Sequence, residues 1–405
     1  MILAEAFAEA RVRVVAVLAA RFRDLDLAED AFGEACLAAV QAWPAAGSPA
    51  DASAWLYRVA HRAALDALRR RQVRAKAPAD PPEPPATPEE VMLDADDPIP
   101  DERLRLFFVC CHPAIAAEAR AALTLKAVCG LSTERLARAF LIGEPAMLQR
   151  ITRAKRKIRD AGVPYETPRR EQWAERLDAV LATLEIAFGQ AYEDAAGSGD
   201  AAGLALEVLR LSAILVELLP QEPEVLGLAA LVRLAEARRP ARLGPDEVMI
   251  PLSEQDTALW DRALIVEGAA LLGRAGRLGR TGAYQLMAAI HLAHVRRIET
   301  GRIAWADIVG LYDALLIVRP SVVVAVNRAA ALAEAEGPEM ALLALEALDE
   351  PRLAGWRPFL VARASCLAKA GRKAEAAEAY CAALALGPAK AERLFLQRRL
   401  EDVAV

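Results

Sequence analysis

The sequence predicts an all-α protein, and three observations support this fold class. Of the 405 residues 55% are hydrophobic but only 5% are aromatic, and alanine and leucine, which favour helices, dominate the apolar set. Apolar residues recur at helical spacing in several segments. A 34-residue period near the C-terminus is typical of stacked helix pairs. We therefore expect two small helical domains followed by a longer helical region.

The first domain is predicted to occupy residues 1–76. Residues 26–43 begin with acidic side chains, which suit a helix N-terminus, and end before the loop signal PAAGSPAD. Asp51 or Ser53 is then expected to cap a helix that runs to about residue 74. Its inward stripe at helical spacing consists of Leu56, Val59, Ala60, Ala63 and Ala67.

The other faces of this helix are strongly basic. Residues 53–76 carry seven basic side chains and one acid. The candidate DNA-binding residues are Trp55, Arg58, His61, Arg62, Arg69 and Arg70. Aromatic rings beside phosphate-binding cations suit unpaired DNA. The alternative is a solvated basic face with Trp55 in the core.

Residues 77–100 are predicted to form an acidic, proline-rich linker. They contain eight of the 24 prolines, seven acids and no lysine or arginine. Repeated proline disfavours helix and sheet, and like charges extend a chain. The linker separates the first domain from a second one at residues 101–162.

The second domain contains a predicted helix-turn-helix. Ser132 is expected to cap its first helix, and Gly143 lies in the turn before Pro145 opens the second helix. The second helix should bury Met147, Ile151, Ala154 and Ile158. Its candidate DNA-binding residues are Gln149, Arg150, Arg153, Lys155, Arg156 and Lys157. Arginine and glutamine can read base edges in a major groove, and lysine can neutralise phosphate. The alternative is a basic helix that binds an acidic protein.

Residues 171–405 are predicted to form a helical domain that contains the repeat. Tyr312 and Tyr380 are 68 residues apart, as are Pro320 and Pro388. Gly337 and Gly371 are 34 apart, and each follows a helical run. This period is typical of tetratricopeptide (TPR) repeats. Three units fit, at about residues 288–320, 322–354 and 356–388, and such stacks usually offer a concave surface to a partner.

Motifs for catalysis, metal binding and membrane insertion are not found in the sequence. It has no Gly-rich phosphate loop, HExxH or GxSxG motif, so we expect neither an enzyme nor a cofactor. Cys110, Cys111 and His112 lack the spacing of a zinc site, and the cysteines are expected to be buried and reduced. Apolar runs fall short of the roughly 20 residues of a membrane span, and a cytoplasmic location is expected.

Several blocks of the chain resemble an extracytoplasmic-function (ECF) sigma factor. Region two is similar to DLDLAEDAFGEACLAAVQAW and AWLYRVAHRAALDALRRR, and region four to ALTLKAVCGLSTERLARAFLIGEPAMLQRITRAKRKIRDAG. The blocks WDRALIVEGAALL and GAYQLMAAIHLAHV resemble the subgroup with a long TPR-like C-terminal extension.

The resemblance implies partners and roles for the residues. Asp30, Glu34 and Leu37 would contact the clamp helices of core RNA polymerase. Residues 44–69 would capture a flipped base of the minus-ten promoter element, and the helix at 145–159 would read the minus-thirty-five element. The TPR-like domain would regulate the protein by binding another part of the chain or a protein or peptide partner.

Two other functions stay open at this point. The first is a TPR-type, peptide-sensing transcription regulator that binds DNA independently of polymerase. The second is an enzyme hidden in the C-terminal half, for which no acid–base cluster is visible. Tight binding of the free protein to closed duplex would favour the first of these, because a sigma factor is expected to bind weakly without core polymerase.

Overall fold

The structure is a computed structural model, and every regular element in its described residues is helical. One isolated bridge joins Leu243 and Met249, and no β-strand occurs in the described ranges. The all-α prediction is therefore confirmed. The described residues are 3–47, 49, 51–75, 102–128, 131–140, 142–163, 168, 172–193, 199–348 and 351–404. The chain divides into two compact units, Met1–Gln190 and Ala191–Val405, called unit 1 and unit 2 below.

Unit 1 contains two groups of helices. The first group is α1 (Leu3–Phe22), α2 (Leu25–Ala46) and α3 (Ala52–Ala75). The second is α4 (Glu102–Cys110), α5 (Ala117–Ala127), α6 (Thr133–Ala139), α7 (Glu144–Asp160) and α8 (Trp173–Glu193). The linker predicted for residues 77–100 lies outside the described residues.

Helices α1–α3 pack together through small and branched apolar side chains. Helix α2 begins at the capping residue Asp24, whose carboxylate accepts a hydrogen bond from the Leu27 amide at 3.0 Å. Helix α3 begins in the same way, because Asp51 Oδ1 accepts from the Ala54 amide at 2.8 Å. Such caps satisfy backbone donors that the first turn leaves unpaired. The expectation that Asp51 or Ser53 caps α3 is thus resolved in favour of Asp51.

Helices α6 and α7 form the predicted pair of helices joined by a short turn. Ser132 Oγ accepts from the Arg135 amide at 3.1 Å, as expected for the cap of α6. Gly143 is the N-cap of α7, and Pro145 lies in its first turn. Phe140 and Leu136 are buried between these helices and their neighbours. This arrangement exposes one face of α7 to solvent.

Most of helix α8, up to residue 190, belongs to unit 1, although the sequence placed residues from 171 onward in the C-terminal domain. The rings of Phe108 and Trp173 meet edge to face, with centroids 5.2 Å apart. Buried Arg176 donates from Nη2 to the Phe108 carbonyl at 2.6 Å. These contacts attach α8 to α4, so the compact unit extends to residue 190.

Unit 2 is built from helices that pack mainly on their neighbours in the chain. They are α9 (Gly199–Leu218), α10 (Pro223–Glu236), α11 (Arg262–Arg277), α12 (Ala283–Val295), α13 (Arg297–Thr300), α14 (Trp305–Val318), α15 (Val322–Ala335), α16 (Pro338–Glu346), α17 (Arg357–Lys369), α18 (Lys373–Ala385) and α19 (Lys390–Ala404). Short 3-10 helices lie at Arg239–Ala241, Thr257–Leu259 and Pro351–Gly355.

The repeat residues occupy equivalent turns of unit 2. Gly337 lies between α15 and α16, and Gly371 between α17 and α18, with φ angles of 105° and 75°. Only glycine adopts such angles without strain, which explains its presence at both turns. Helix α19 follows the helix pairs α15–α16 and α17–α18. Its Arg398 and Arg399 pair with Asp246 and Glu254, which lie in the segment at 242–255.

The cysteines and hydropathy of the described residues give no sign of a metal or membrane site. Cys110 and Cys111 are buried, and burial raises the pKa of both thiols. No three histidine, cysteine or acidic side chains in the described ranges are placed to hold a metal ion. None of the described helices combines the length and apolarity that crossing a bilayer requires.

Candidate nucleic-acid interface

Helix α3 presents its four predicted DNA-binding arginines to solvent. Leu56, Ala60 and Ala64 are fully buried at four-residue intervals and fix the orientation of the helix. The side chains of Arg58, Arg62, Arg69 and Arg70 are exposed. Asp66 lies beside the last two, and it pairs with Arg69 at 3.4 Å at the surface. Screening by water makes such a pair weak, so the arginines stay available to phosphate.

The two predicted aromatic contacts of α3 are set deeper than its arginines. Trp55 is half-buried and meets buried Trp43 edge to face, with ring centroids 5.4 Å apart. The His61 ring lies between Phe22 and Tyr57, at centroid distances of 5.7 and 5.8 Å. Its Nε2 is buried and finds no hydrogen-bond partner in the described part of the chain.

The environment of His61 keeps its ring neutral near pH 7. Burial lowers the pKa of His61, and the positive charge of Arg21 lowers it further. A neutral imidazole contributes no charge to phosphate binding. In this structure the ring therefore packs among the aromatic side chains that lie beneath the exposed arginines.

Helix α7 has the amphipathic pattern predicted for it. Met147, Ile151, Ala154 and Ile158 are all buried. Gln149, Arg153, Arg156 and Lys157 are exposed on the outer side. Arg153 donates from Nε to the backbone carbonyl of Gln149 at 3.3 Å, which directs the Arg153 side chain back along the helix. Side chains of these types on one exposed face can contact base edges and phosphates.

A groove of about 370 Å³ lies between the start of α5 and the middle of α7. Arg150, Arg153 and Lys157 line it from α7, and Glu118 lines it from α5. Arg150 is half-buried and pairs with Glu118 at 3.4 Å. The groove therefore places three cations beside one acid, and Arg150 is less accessible than its neighbours.

Lys155 differs from the other predicted contacts of α7 because it points at α2. Its Nζ donates to Asp26 Oδ1 and to Glu29 Oε2, both at 2.6 Å. The Lys155 and Glu29 side chains are only 13% and 11% exposed. Burial alone lowers the pKa of Lys155, but the nearby carboxylates outweigh this effect and raise the pKa above its ordinary value. Lys155 is thus held as a cation by acids of the same chain.

Two more side chains extend this cluster. Arg11 on α1 donates from Nη2 to Glu29 Oε1 at 3.0 Å and to the Lys126 carbonyl at 3.1 Å. Arg159 lies 4.0 Å from the second carboxylate oxygen of Asp26. Sequence reasoning missed Arg11, Asp26 and Glu29, because no motif shows which acids of α2 will face α7. Helical spacing did indicate that Lys155 lies next to the buried face of α7, since it follows Ile151 by four residues and precedes Ile158 by three.

The residues predicted to contact polymerase form a stripe on α2. Asp30, Glu34 and Leu37 are exposed at spacings of four and three. Leu37 is 66% exposed, and Val40 on the next turn is also exposed. Two acids beside two apolar side chains give a surface suited to another protein, because exposed apolar area gains from being covered.

Comparison with known families matches two segments of this chain. The family model for Sigma-70 region 2 matches residues 7–74, which cover most of α1 and all but the last residue of α3. This domain indicates a non-catalytic transcription factor of the sigma type, which acts in transcription initiation with RNA polymerase and promoter DNA. A second model, described as a family of unknown function (DUF6596), matches residues 176–276.

The whole chain is also similar to one curated protein of known sequence. It is 40% identical over 412 residues to the uncharacterized protein R00370 of Rhizobium meliloti (strain 1021), and the alignment covers 98% of this chain and 95% of that protein. The chain therefore belongs to the same family as R00370. No solved structure matches it.

Proposed function

We propose that this protein is an ECF sigma factor with a regulatory C-terminal domain. It binds core RNA polymerase and directs it to promoters, with α1–α3 contacting the minus-ten element and α7 reading the minus-thirty-five element. The observation that carries this proposal is the match of α1–α3 to Sigma-70 region 2. The second basic helix, α7, lies in a helix pair with an exposed basic face.

The minus-ten assignment is supported by the two layers of α3. Its outer arginines, Arg58, Arg62, Arg69 and Arg70, are exposed and can follow the phosphates of an opened strand. Half-buried Trp55 lies at the start of the helix and backs onto Trp43. A flipped base gains stacking energy on such a ring, which offsets the few kcal/mol that flipping costs. His61 acts behind this surface through packing.

The minus-thirty-five assignment is supported by the exposed face of α7. Gln149, Arg153 and Arg156 lie along one line of the helix and are accessible to a major groove. Lys157 and Arg150 lie beside this line, next to the groove at the start of α5. We assign the first three to base edges and the other two to phosphates.

The polymerase assignment uses the exposed stripe of α2. Asp30, Glu34 and Leu37 would contact the clamp helices of the largest subunit. Leu37 is 66% exposed, so the described residues of unit 1 leave most of its side chain uncovered. A protein surface that covers an apolar side chain and pairs with two acids fits this stripe.

Unit 2 is proposed to act as a TPR-like regulatory domain. Successive helix pairs with glycine turns 34 residues apart support this view. Ile317, Val323 and Leu343 are large apolar side chains that stay exposed on α14, α15 and α16. They offer a surface for a protein or peptide partner. A cytoplasmic location, where core polymerase acts, is part of the same proposal.

The test is reconstituted transcription from a library of genomic fragments with core polymerase. The full chain should produce specific start sites whose upstream sequences share two elements, and core polymerase alone should not. Removal of residues 194–405 keeps α8 and therefore spares its contacts with Phe108. This truncation should alter transcript levels if unit 2 regulates. Tight, sequence-specific duplex binding by the free chain, with no specific transcription, would favour the polymerase-independent regulator instead.

A further inference from the structure

An acidic segment of unit 2 is held against the last helix, α19. Residues 243–256 contain four acidic side chains and no lysine or arginine. Three of the acids pair with cations of α19: Asp246 with Arg398, Glu247 with Lys390, and Glu254 with Arg399. Residues 245–254 are called the resident segment below, and Lys390, Arg398 and Arg399 are called the seat.

The resident segment begins with a tight turn. Pro245 takes the second position of the turn, where its fixed φ angle is favoured, and the Glu247 amide donates to the Gly244 carbonyl at 3.0 Å. Glu247 has a φ of 62°, a left-handed conformation that strains a residue other than glycine. Val248 follows and is only 6% exposed. The turn therefore places two acids at the seat and one apolar side chain in the interior.

The ion pairs of the seat contribute little to holding this segment. The side chains of Lys390 and Glu247 are 66% and 60% exposed, and those of Arg398 and Asp246 are 57% and 48% exposed. Water screens such pairs, so each of them is weak. The strain at Glu247 also acts against the turn. A second acidic segment can therefore compete for the seat.

The sequence pattern of the resident segment occurs a second time in the chain, within the acidic linker. PDEVMI at 245–250 corresponds to PEEVML at 88–93, with four identical residues, one exchange of Asp for Glu and one of Ile for Leu. An acidic, proline-rich composition accounts for the matches at proline and glutamate. It does not account for Val-Met, because the chain has six methionines in 405 residues and Val-Met occurs only at these two places.

Every acid that pairs with the seat has a counterpart in the linker. Glu89, Glu90 and Asp97 stand at the positions of Asp246, Glu247 and Glu254, with the same spacings of one and eight residues between the first acid and the other two. Val91 stands at the position of the buried Val248. Residues 88–97 are called the linker motif below.

One position differs in a way that favours the resident segment. Thr87 corresponds to Gly244, and a Cβ at Gly244 would lie 2.7 Å from the Asp246 carboxylate. A side chain at this position requires the turn to shift. The resident segment should therefore be the major occupant of the seat, and the linker motif the minor one.

We propose that the linker motif exchanges with the resident segment of the same chain on the seat of α19. The exchange itself is a property of the sequence and of unit 2. Its consequence for transcription rests on the proposed sigma function: because the linker joins α3 to α4, a docked linker motif gives unit 2 a means of acting on the helices proposed to contact the promoter.

The experiment is photocrosslinking of the full chain, with benzoylphenylalanine in place of exposed Gln397, next to Arg398. Mass spectrometry of the digest distinguishes the occupants, because one crosslinked peptide contains Met249 and the other contains Met92. Asp246→Asn with Glu247→Gln and Glu254→Gln removes the charges of the resident segment. This variant should raise the ratio of linker product to resident product about tenfold, as expected when three exposed ion pairs are lost together.

Two linker variants provide a matched comparison in this neutralised background. Glu89→Gln with Glu90→Gln and Asp97→Asn removes the charges of the linker motif and should abolish the gain in linker product. Asp80→Asn with Glu83→Gln and Asp94→Asn removes as many charges elsewhere in the linker and should preserve the gain. Circular dichroism shows whether each variant is folded, and the mass of the crosslinked protein shows whether one chain supplies both parts.

Reconstituted transcription tests the consequence. In the otherwise unchanged chain, the linker-motif variant should change transcript levels in the same direction as removal of residues 194–405, and the Asp80–Glu83–Asp94 variant should not. Unchanged levels in the linker-motif variant, with the truncation still effective, would show that unit 2 does not act through the linker.

The crosslinking results decide the exchange independently of transcription. If no linker product forms, or if the two linker variants reduce it equally, the exchange is wrong. Linker product found only at twice the mass of the chain would place another copy's linker on the seat and overturn the intramolecular exchange. If crosslinking gives the expected pattern but no form of the chain directs specific transcription, the exchange stands and the sigma function falls.

Discussion

Helices α3 and α7 have similar compositions but use their cations differently. Both bury an apolar stripe and carry many basic residues. Arg58, Arg62, Arg69 and Arg70 of α3 are exposed, whereas Lys155 and Arg150 of α7 are more buried and pair with acids from neighbouring helices. The number of basic residues in a helix therefore does not give the charge that it offers to DNA. That charge depends on the acids that the fold brings against it.

The largest expected effects lie in the core, where the two helices should behave alike. Leu56 of α3 and Met147 of α7 are fully buried. Truncation of either residue to alanine should cost about 2–5 kcal/mol of stability, because it removes apolar contacts and leaves a cavity. Hydrogen exchange of peptides from each helix measures the loss. Exposed Leu148→Ala on α7 is the control and should change little; a loss below about 0.5 kcal/mol for Met147→Ala would show that α7 is not anchored as described.

The next effect on stability should differ between the two helices, because it depends on their charged side chains. Lys155→Gln should destabilise unit 1 by about 1–3 kcal/mol, because it removes a charged hydrogen bond to the largely buried carboxylate of Glu29 and a second one to the half-exposed carboxylate of Asp26. The same change at exposed Arg62 of α3 should fall within about 0.5 kcal/mol. Urea unfolding followed by hydrogen exchange compares the two variants. Equal effects would mean that the buried contact of Lys155 contributes no more than a surface charge.

Base discrimination should depend on α7. Arg153→Ala should reduce discrimination at one minus-thirty-five base pair by about 1–3 kcal/mol, if its guanidinium contacts a base edge. Lys157→Ala, on the neighbouring line of the same helix, should weaken all sequences equally. Transcription from a promoter library with each variant distinguishes the two. A uniform loss with Arg153→Ala would place that residue on phosphate as well.

Single-strand binding should depend on α3 and show a smaller effect. Arg62→Ala should lower the salt dependence of binding to an unpaired minus-ten strand by about 0.7 in slope, which corresponds to one phosphate contact. Arg71→Ala is the matched control, because Arg71 pairs with Asp24 at 3.0 Å. Binding is measured for the polymerase complex on a bubble template. An equal loss of slope in both variants would mean that pairing with an acid does not prevent an arginine from contacting phosphate.

The smallest effect concerns the pH response of α3. The pKa of His61 in the folded protein lies below the ordinary value of 6.5, so between these two values the unfolded state binds more protons. Stability should therefore fall slightly as the pH drops below about 6.5. His61→Phe should flatten this response, as measured by thermal unfolding between pH 5 and 7.5. Steeper pH dependence in the variant would contradict a neutral, packed ring.

Local features of both helices were predictable from the sequence. The cap at Asp51, the cap at Ser132 and the buried stripe of α7 follow from residue types and spacing within one segment. The direction of Lys155 was not predicted, because its partners on α2 are more than 120 residues away. The placement of α8 in unit 1 depends likewise on a distant partner, Phe108. Periodicity shows which face is buried, but not which helix covers it.

The comparison with Sigma-70 region 2 covers α1–α3, whereas the role of α7 remains a proposal. Reconstituted transcription followed by mapping of start sites tests both together, when the wild-type chain is compared with Arg153→Ala. We predict specific start sites only when the chain and core polymerase are both present, and a shift in upstream sequence preference near minus thirty-five for the variant. Specific transcription with an unchanged upstream preference would contradict the role of α7, and the absence of specific start sites would contradict the sigma function itself.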